Sequence, residues 1–271
     1  MISINTNYGG LYAAKAAQSS QSLMDKAMER LSTGKRINYA QDDAAGQALA
    51  TRLTAEIQGL SMASRNAADG QAMLNTAEGA LQESHNLLLR MRELAVQAGN
   101  GTMTTADQAA LDKEFQALDD EVNRIATKTS WAGSNILNLS AAVKFHVGVN
   151  ASETIDVTIG KTDSTTLSIA ALAVTDSTKS NAAITALDAA LKTVATERAN
   201  LGAFSNRLES TIANLGQIGV NLAASKGRIE DADFAQETGN LAKNQILQQA
   251  ATAMVAQANT SKSSILTLLR G

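Results

Sequence analysis

The longest regular pattern in the chain is a heptad repeat that begins near residue 53. One apolar edge recurs every seven residues, at Leu53, Leu60, Ala67, Leu74, Leu81, Leu88 and Ala95. A second edge, mostly of small side chains, follows three residues later, at Ala63, Gly70, Ala77, Ser84, Met91 and Ala98. A seven-residue period keeps one edge in line only when a helix winds around a partner. The pattern therefore predicts a long helix packed closely against another helix.

Both limits of this helix are marked in the sequence. Asp42 and Asp43 are expected to cap its start, and Gly99 with Asn100 and Gly101 marks its end. At about 1.5 Å of rise per residue, the helix would be roughly 80 Å long. Such a rod does not fit a compact domain of this size.

The second half of the chain carries a matching seam. Its positions alternate steps of four and three, and only Arg198, Ser205 and Gly219 interrupt the apolar series. The series is Leu187, Leu191, Val194, Arg198, Leu201, Ser205, Leu208, Ile212, Leu215, Gly219 and Leu222. This pattern predicts a return helix that packs along the first.

Between the two seams the period of the pattern changes twice. A shorter helix is predicted around Phe115, with Thr105 and Gln108 as its capping box and residues 130–134 as its end. Alternation then predicts a β-hairpin, with strands at 143–149 and 155–159 and a turn at 150–153. The polar segment 160–180 is expected to be an exposed loop or a third strand.

Both ends of the chain are alanine-rich arms with few large apolar residues. Ordering a residue costs about 1 to 2 kcal/mol of backbone entropy, whereas burying one methyl group contributes about 0.8 kcal/mol. We therefore predict that the arms are disordered in an isolated monomer and become ordered against a partner. The residues expected to make these contacts are Ile4, Leu11, Leu23, Leu31, Leu247, Met254, Ile265 and Leu268.

Together these patterns predict a mainly α fold of long antiparallel helices that form coiled-coil-like rods. The N- and C-terminal helices are expected to pair, with a small β-hairpin region at the far tip. The expected division is an N-terminal arm at 1–41, a long and a second helix at 42–139, a hairpin and loop at 140–180, a return helix at 181–227 and a C-terminal arm at 228–271.

Composition narrows the class of function. The absence of proline permits long helices, and 3% aromatic residues favours thin helix pairs over a thick core. A net charge of -3 argues against binding to nucleic acid or an anionic membrane. With no cysteine, disulfides and thiolate metal sites are excluded. The start of the chain lacks the features of a secretory signal, so export is expected to use another route.

The polar clusters are more simply explained by structure than by chemistry. Asp42 with Asp43, and Glu230 with Asp231 and Asp233, are each expected to cap a helix rather than to bind a metal or transfer protons. His85 and His146 show no ligand spacing and are expected at the surface. We therefore expect no catalytic residues, no cofactor and no metal, and the chain is not expected to be an enzyme.

Several sequence motifs occur in the order found in one family. At the N-terminal end they are Arg30–Asn38, Asp42–Ala48, Ser64–Gly70 and Thr76–Leu81, and at the C-terminal end Arg228–Ala235, Gln245–Ala250 and Leu268–Gly271. In these motifs the chain resembles bacterial flagellin. Trp131 is a departure, because the family usually has phenylalanine in that turn.

The resemblance implies a subunit that is exported through the flagellar channel and polymerises with itself into a hollow extracellular filament that serves motility. The arms would line the inner tube, and the longer helices would form the surrounding shell. Export machinery, an export chaperone, and the filament cap and junction proteins are implied as partners. The large variable outer domains are missing from the middle of the chain, so we expect a thin, smooth filament. Hydroxyl glycosylation at 152–180 is a further expectation by analogy.

The resemblance also implies a contact with the innate flagellin receptor of the Toll-like class. Arg90, Leu94 and Glu114 match the positions that this receptor recognises in the family. The alternative is that Arg90 and Glu114 are ordinary groups of the subunit surface.

Two other functions share part of this pattern. A hook-filament junction protein shares the terminal motifs more loosely. The cytoplasmic hairpin of a chemoreceptor is also alanine-rich and heptad-patterned, but a membrane segment would precede it, and alternating strands do not belong in it.

Overall fold

The computed structural model describes residues 6–138 and 141–270, with side chains as far as Ser264. This part of the chain forms five helices and four short strands. They are α1 (Tyr8–Thr33), α2 (Ala44–Ala98), α3 (Thr105–Lys128), β1 (Ser130–Trp131), β2 (Ser134–Asn135), β3 (Val143–His146), β4 (Thr154–Val157), α4 (Ser177–Glu230) and α5 (Phe234–Arg270). The predicted mainly α fold with small antiparallel strand pairs is confirmed.

The chain divides into two compact units. The first runs up to Ala55 and resumes at Asn221, and the second extends from Glu56 to Val220. The first unit therefore contains α1, α5, the start of α2 and the end of α4. The second contains α3, the strands, α2 from Glu56 onward and α4 as far as Val220.

In the first unit, α1 and α5 pack against each other in opposite directions. Three side-chain hydrogen bonds fix the pairing, between Asn7 and Asn259, between Gln21 and Gln248, and between Arg30 and Glu237. Residue numbers rise along α1 as they fall along α5, which establishes the antiparallel arrangement. The predicted pairing of the N- and C-terminal helices is confirmed.

The connectors that follow α1 and α4 are joined by backbone hydrogen bonds. Lys35 and Asp231 form an isolated antiparallel bridge, and the Arg36 N–H donates to the Glu230 carbonyl at 2.7 Å. Gly34 ends α1 in the left-handed conformation, with φ of 71°. Glycine adopts this conformation without a steric penalty, which lets the chain turn sharply toward its partner connector.

The core of the second unit consists of the two predicted seams. From α2 it contains Leu60, Ala67, Leu74, Leu81, Leu88 and Ala95, and from α4 it contains Leu187, Val194, Leu201, Leu208 and Leu215, none more than 7% exposed. Ion pairs from Glu78 to Arg198 and from Arg92 to Asp188 give an antiparallel arrangement. Phe115 and Val122 of α3 complete the core from another side.

The predicted hairpin forms, but its predicted position at the far tip is wrong. β3 and β4 are antiparallel, with Phe145 opposite Ile155. A Cβ atom on Gly70 of α2 would lie 3.0 Å from the Phe145 ring, and Asn66 Nδ2 donates to the His146 carbonyl at 3.0 Å. The hairpin therefore lies beside α2, well before that helix ends at Ala98. Gly70 has no side chain, so the ring can approach the helix backbone.

The segment 160–176 is neither an exposed loop nor a third strand. Its residues Leu167, Ile169 and Val174 are buried, yet its backbone bonds to side chains of α3 instead of to a strand. Gln116 Nε2 donates to the Leu172 carbonyl at 2.8 Å, and Asp112 Oδ1 accepts from Val174 N at 2.8 Å. These bonds to α3 side chains take the place of the backbone hydrogen bonds that a third strand would make in a sheet. The following helix begins at Ser177, a few residues before the predicted position 181.

The start of α3 differs by one position from the prediction. The capping box consists of Thr104 and Asp107, not Thr105 and Gln108. Gln108 has a different role, because its Nε2 donates to the Ala98 carbonyl at the end of α2 at 2.9 Å. Reciprocal hydrogen bonds hold the pKa of Asp107 below its usual range, chiefly the bond from the Thr104 side chain.

Candidate assembly surfaces

The contact between α1 and α5 is built from small side chains. Ser20 and Ala27 of α1 and Ala251 of α5 are each no more than 8% exposed. Small residues let two helices approach closely, but burying them removes little apolar surface from water. Among the described side chains of the two arms, no large apolar residue is fully buried.

Most of the large apolar side chains described on the arms are exposed instead. Four of the predicted assembly residues are well exposed: Leu11 (61%), Leu23 (51%), Leu247 (44%) and Met254 (61%). Leu31 is half-buried, and Ile4 and the side chains of Ile265 and Leu268 lie outside the described residues. The arms thus carry unpartnered apolar surface on both helices.

Sequence reasoning missed further members of this surface. Tyr8, Tyr12, Phe234 and Ile246 are between 59% and 82% exposed. The eight predicted residues are only part of the apolar side chains of the arms, and they do not include these four. The available signal was the presence of tyrosine and phenylalanine in arms that otherwise contain mainly alanine and polar residues.

A buried carboxylate stabilises the junction of the connectors. Glu230 is 8% exposed, and its two oxygens pair with Lys35 and, at 3.6 Å, with Lys226. These partners, Lys35 first, hold the pKa of Glu230 below its usual range. The junction is therefore favoured by the ionised form of the glutamate.

The other acidic residues considered in the sequence act mainly as caps. Asp43 Oδ1 accepts from Gly46 N at 2.9 Å at the start of α2, and Asp233 Oδ1 accepts from Ala235 N at 2.9 Å at the start of α5. Asp42 instead accepts from the backbone N–H groups of the preceding turn and pairs with Lys26 at 3.5 Å. Within the described ranges, no three His, Asp or Glu side chains gather as a metal site.

The residues implied as receptor contacts are not all on the surface. Arg90 Nη2 and Nε lie 2.9 and 3.1 Å from Glu114 Oε1, and Arg90 Nη1 lies 3.1 Å from Glu93 Oε2. The hydrogen bonds that Arg90 donates to Glu114 and, second, to Glu93 hold the pKa of Arg90 above its usual value. Leu94, however, is 1% exposed and belongs to the core. It cannot present its side chain to a partner of the folded chain, and that part of the expectation is wrong.

Comparison with known protein families identifies the family to which this chain belongs. The bacterial flagellin N-terminal helical region matches residues 4–142, and the bacterial flagellin C-terminal helical region matches residues 184–269. The chain belongs to the bacterial flagellin family. The two flagellin regions contain both arms and both seams, and residues 143–183 between them hold β3, β4, the segment along α3 and the start of α4.

Individual flagellins agree with this assignment over most of their length. The chain is 44% identical to a flagellin of Halalkalibacterium halodurans over 248 residues, which cover 90% of this chain and 91% of that one. It is 42% identical to a flagellin of Bacillus subtilis over 302 residues, covering 98% and 99% of the two chains. The crystal structure of Bacillus cereus flagellin is similar with a TM-score of 0.52 and 33% identity, over 60% of this chain and 94% of that one.

Membership in the flagellin family gives the function. The chain is a structural subunit that associates with itself in the extracellular helical filament of the bacterial flagellum, which serves motility. The flagellin family is a family of structural proteins. None of the helices in the described residues is both long and apolar enough to span a membrane.

Proposed function

We propose that α1 and α5 are the surfaces through which one flagellin copy binds the next, and that they line the inner tube of the filament. The observation that supports this is the contrast between exposed apolar side chains on the arms and the small residues that join them. Leu11 and Met254 are each 61% exposed, whereas Ala27 is 2% exposed.

The physical reason is the free energy of apolar burial. Transferring a leucine or methionine side chain out of water contributes about 1.5 to 3 kcal/mol. A free chain leaves several such side chains in water on each arm. Each copy that joins the filament would bury these side chains against its neighbours. Polymerisation would therefore gain free energy of apolar burial that the pairing of α1 with α5 does not provide.

Seeded elongation tests this proposal. The double variant Leu11→Gln with Met254→Gln should keep its helix content, because both side chains are exposed. We expect its critical concentration for elongating sheared seeds to rise at least about tenfold, since about 1.4 kcal/mol is tenfold in an equilibrium constant. The matched control, Leu11→Met with Met254→Leu, keeps the apolar surface and should elongate normally. Unchanged elongation by the glutamine variant would contradict the proposal.

The order of the arms in solution gives a second test. Because no large apolar side chain described on either arm is fully buried, we propose that α1 and α5 exchange their amide protons quickly in the free monomer and slowly in the filament. Hydrogen exchange followed by mass spectrometry would report each arm separately. Strong protection of both arms before assembly would argue against a partner-dependent arm.

The remaining roles are proposed because the chain belongs to the flagellin family. Residues 1–41 and 228–271 would form the inner-tube domain, and 42–139 and 181–227 the shell, with 140–180 on the shell. The chain would leave the cell through the flagellar export machinery with an export chaperone and without a cleavable signal peptide. It would then meet the junction and cap proteins. A filament map with no density beyond the shell would support the expected thin, smooth filament.

We propose, finally, that Arg90 and Glu114 contact the innate receptor of the Toll-like class. This rests on the family resemblance and on the half-exposed state of both side chains, at 49% and 47%. The variant Arg90→Ala should lose receptor signalling and still elongate seeds. Arg124→Ala is the matched control, because Arg124 is also an exposed arginine paired with a glutamate. Equal signalling by both variants would leave Arg90 an ordinary surface group.

A further inference from the structure

The turn between α2 and α3 contains the one Asn-Gly pair in the sequence, Asn100 and Gly101. Both residues are exposed and lie between the end of α2 at Ala98 and the start of α3 at Thr105. In such a pair, the glycine amide nitrogen can attack the asparagine side-chain carbon, because no Cβ on the second residue obstructs the approach. The reaction also requires that the two groups are free to move.

The structure leaves the two reacting nitrogen groups without hydrogen-bond partners among the described residues. In the described part of the chain, the Gly101 N–H donates no hydrogen bond and the Asn100 Nδ2 group has no partner. The Asn100 Oδ1 atom accepts from Thr102 N at 3.4 Å, which folds the side chain back over the Gly101 peptide. A Cβ atom at Gly101 would meet no atom within 4 Å, so the turn has space to rearrange.

We propose that Asn100 is a site of spontaneous covalent modification in the folded chain. The Gly101 nitrogen loses its proton to solvent and bonds to Asn100 Cγ, while the Cγ–Nδ2 bond breaks and the amide nitrogen leaves as ammonia. Water then opens the resulting five-membered imide at either of its two carbonyl carbons. The products are aspartate and isoaspartate, and the net reaction consumes one water and releases one ammonia.

The same chain contains two sites where the structure opposes related chemistry. Gly70 follows Asp69 inside α2, where the backbone is helical and Phe145 covers the glycine. Asn150 is exposed in the turn between β3 and β4, but Ala151 follows it, and its Nδ2 donates to Glu153 Oε1 at 2.8 Å. Modification should therefore concentrate at Asn100.

The product changes the junction of α2 and α3. A carboxylate near the C-terminal end of α2 opposes the negative end of the helix dipole. Isoaspartate also lengthens the main chain by one carbon between the two helices. Both changes weaken the bonds that close the turn, from Met103 N to the Asn100 carbonyl at 3.1 Å and from Gln108 to Ala98.

Peptide mapping of the full chain tests the proposal. The protein is incubated at mildly alkaline pH and 37 °C, and the peptides that contain Asn100 and Asn150 are followed by mass. Isoaspartate is detected by enzymatic methylation with a purified isoaspartyl methyltransferase. We expect Asn100 to convert at least about tenfold faster than Asn150, which corresponds to about 1.4 kcal/mol in activation free energy. Equal rates at the two sites would overturn the proposal.

Two further experiments distinguish the effect of the Asn-Gly sequence from the effect of the folded turn. Gly101→Ala is the matched control, because its added methyl group has space, and it should slow conversion about tenfold. The wild-type chain is also incubated in urea. We expect the folded chain to convert at a rate comparable to that of the unfolded chain. Conversion at least about tenfold slower in the folded state would show that the turn protects Asn100, and would overturn the proposal.

Discussion

Arg198 of α4 places both Nε and Nη2 at 2.8 Å from the same oxygen, Oε1, of Glu78 on α2. The pair interrupts the apolar seam of the second unit, between Val194 and Leu201. The other oxygen of Glu78, Oε2, is buried without a hydrogen-bond partner in the described part of the chain. The two helices are thus held in register by a charged pair that is only half satisfied.

This arrangement predicts that removing one partner is worse than removing both. Arg198→Met leaves the Glu78 carboxylate, whose side chain is 38% exposed, without its partner and should lower the free energy of unfolding by about 1 kcal/mol. Arg198→Met with Glu78→Met replaces the pair by apolar groups and should recover most of that loss. Urea denaturation of the wild type, both single variants and the double variant measures the coupling. Additive losses would contradict it.

Ser84 and Ser180 are two buried serines with different surroundings. Ser84 is 1% exposed, and its Oγ has no hydrogen-bond partner among the described residues, whereas Ser180 Oγ donates to the Asp176 carbonyl at 2.8 Å. Ser84→Ala should therefore stabilise the chain, by roughly 1 kcal/mol, because it removes an unsatisfied hydroxyl and favours the helix. Ser180→Ala should destabilise it by a similar amount. Thermal unfolding of both variants checks the sign, and a loss at Ser84 would contradict the prediction.

The turn between β1 and β2 requires two residues with positive φ. Ala132 has φ of 48° and Gly133 has φ of 84°. Because a Cβ atom costs about 1 to 2 kcal/mol in this region, Ala132→Gly should be neutral or stabilising, and Gly133→Ala should lower the melting temperature. No neighbouring atom would meet the Gly133 Cβ within 4 Å, so backbone strain alone would account for the loss. Equal melting temperatures for Gly133→Ala and wild type would exclude this explanation.

Glu230 and Asp119 predict opposite responses to pH. Lys35, first among its partners, lowers the pKa of Glu230, so its stabilising contribution is present above its unfolded value and is lost as pH falls through the lowered value. Burial raises the pKa of Asp119, so its unfavourable contribution is absent in acid and grows as pH rises through the raised value. Glu230→Gln should thus destabilise the chain at neutral pH and have little effect in strong acid.

Asp119→Asn should instead stabilise the chain at neutral pH, with the gain disappearing below the unfolded pKa of about 3.9. Unfolding measured by circular dichroism at several pH values, for both variants, separates the two effects. A gain for Asp119→Asn that persists unchanged in acid would attribute it to packing instead of ionisation.

The helical part of the fold was predictable because its pattern extends over many turns. Leu60 to Ala95 and Leu187 to Leu215 repeat one spacing often enough that no single residue matters, and both rows are buried as expected. The position of the hairpin was not predictable. It depends on Phe145 meeting Gly70, more than seventy positions away in the chain, and periodicity within a segment carries no information on such a contact.

The other differences between the predicted and the observed fold arise from local hydrogen bonds that the sequence pattern does not reveal. The segment at 160–176 resembles a strand or loop in composition, but its backbone is held against α3 by a hydrogen bond from Gln116 to the Leu172 carbonyl and one from Val174 N to Asp112. Thr104 and Thr105 are both acceptable caps in sequence, and only the backbone geometry selects Thr104. The exposed apolar side chains on the arms could be predicted because they are apolar in a polar setting, and their role in assembly stays a prediction. Leu94 was assigned to the surface from a motif that does not report burial.

The place of the hairpin has a consequence for engineering. The turn at 150–153 is closed by Glu153, whose carboxylate accepts from the backbone N–H groups of Val149 and Asn150. Ala151 and Ser152 at its apex are exposed. A foreign peptide spliced between those two residues would leave both anchors in place and would emerge beside α2, so every copy of the subunit would carry it at the same fixed point.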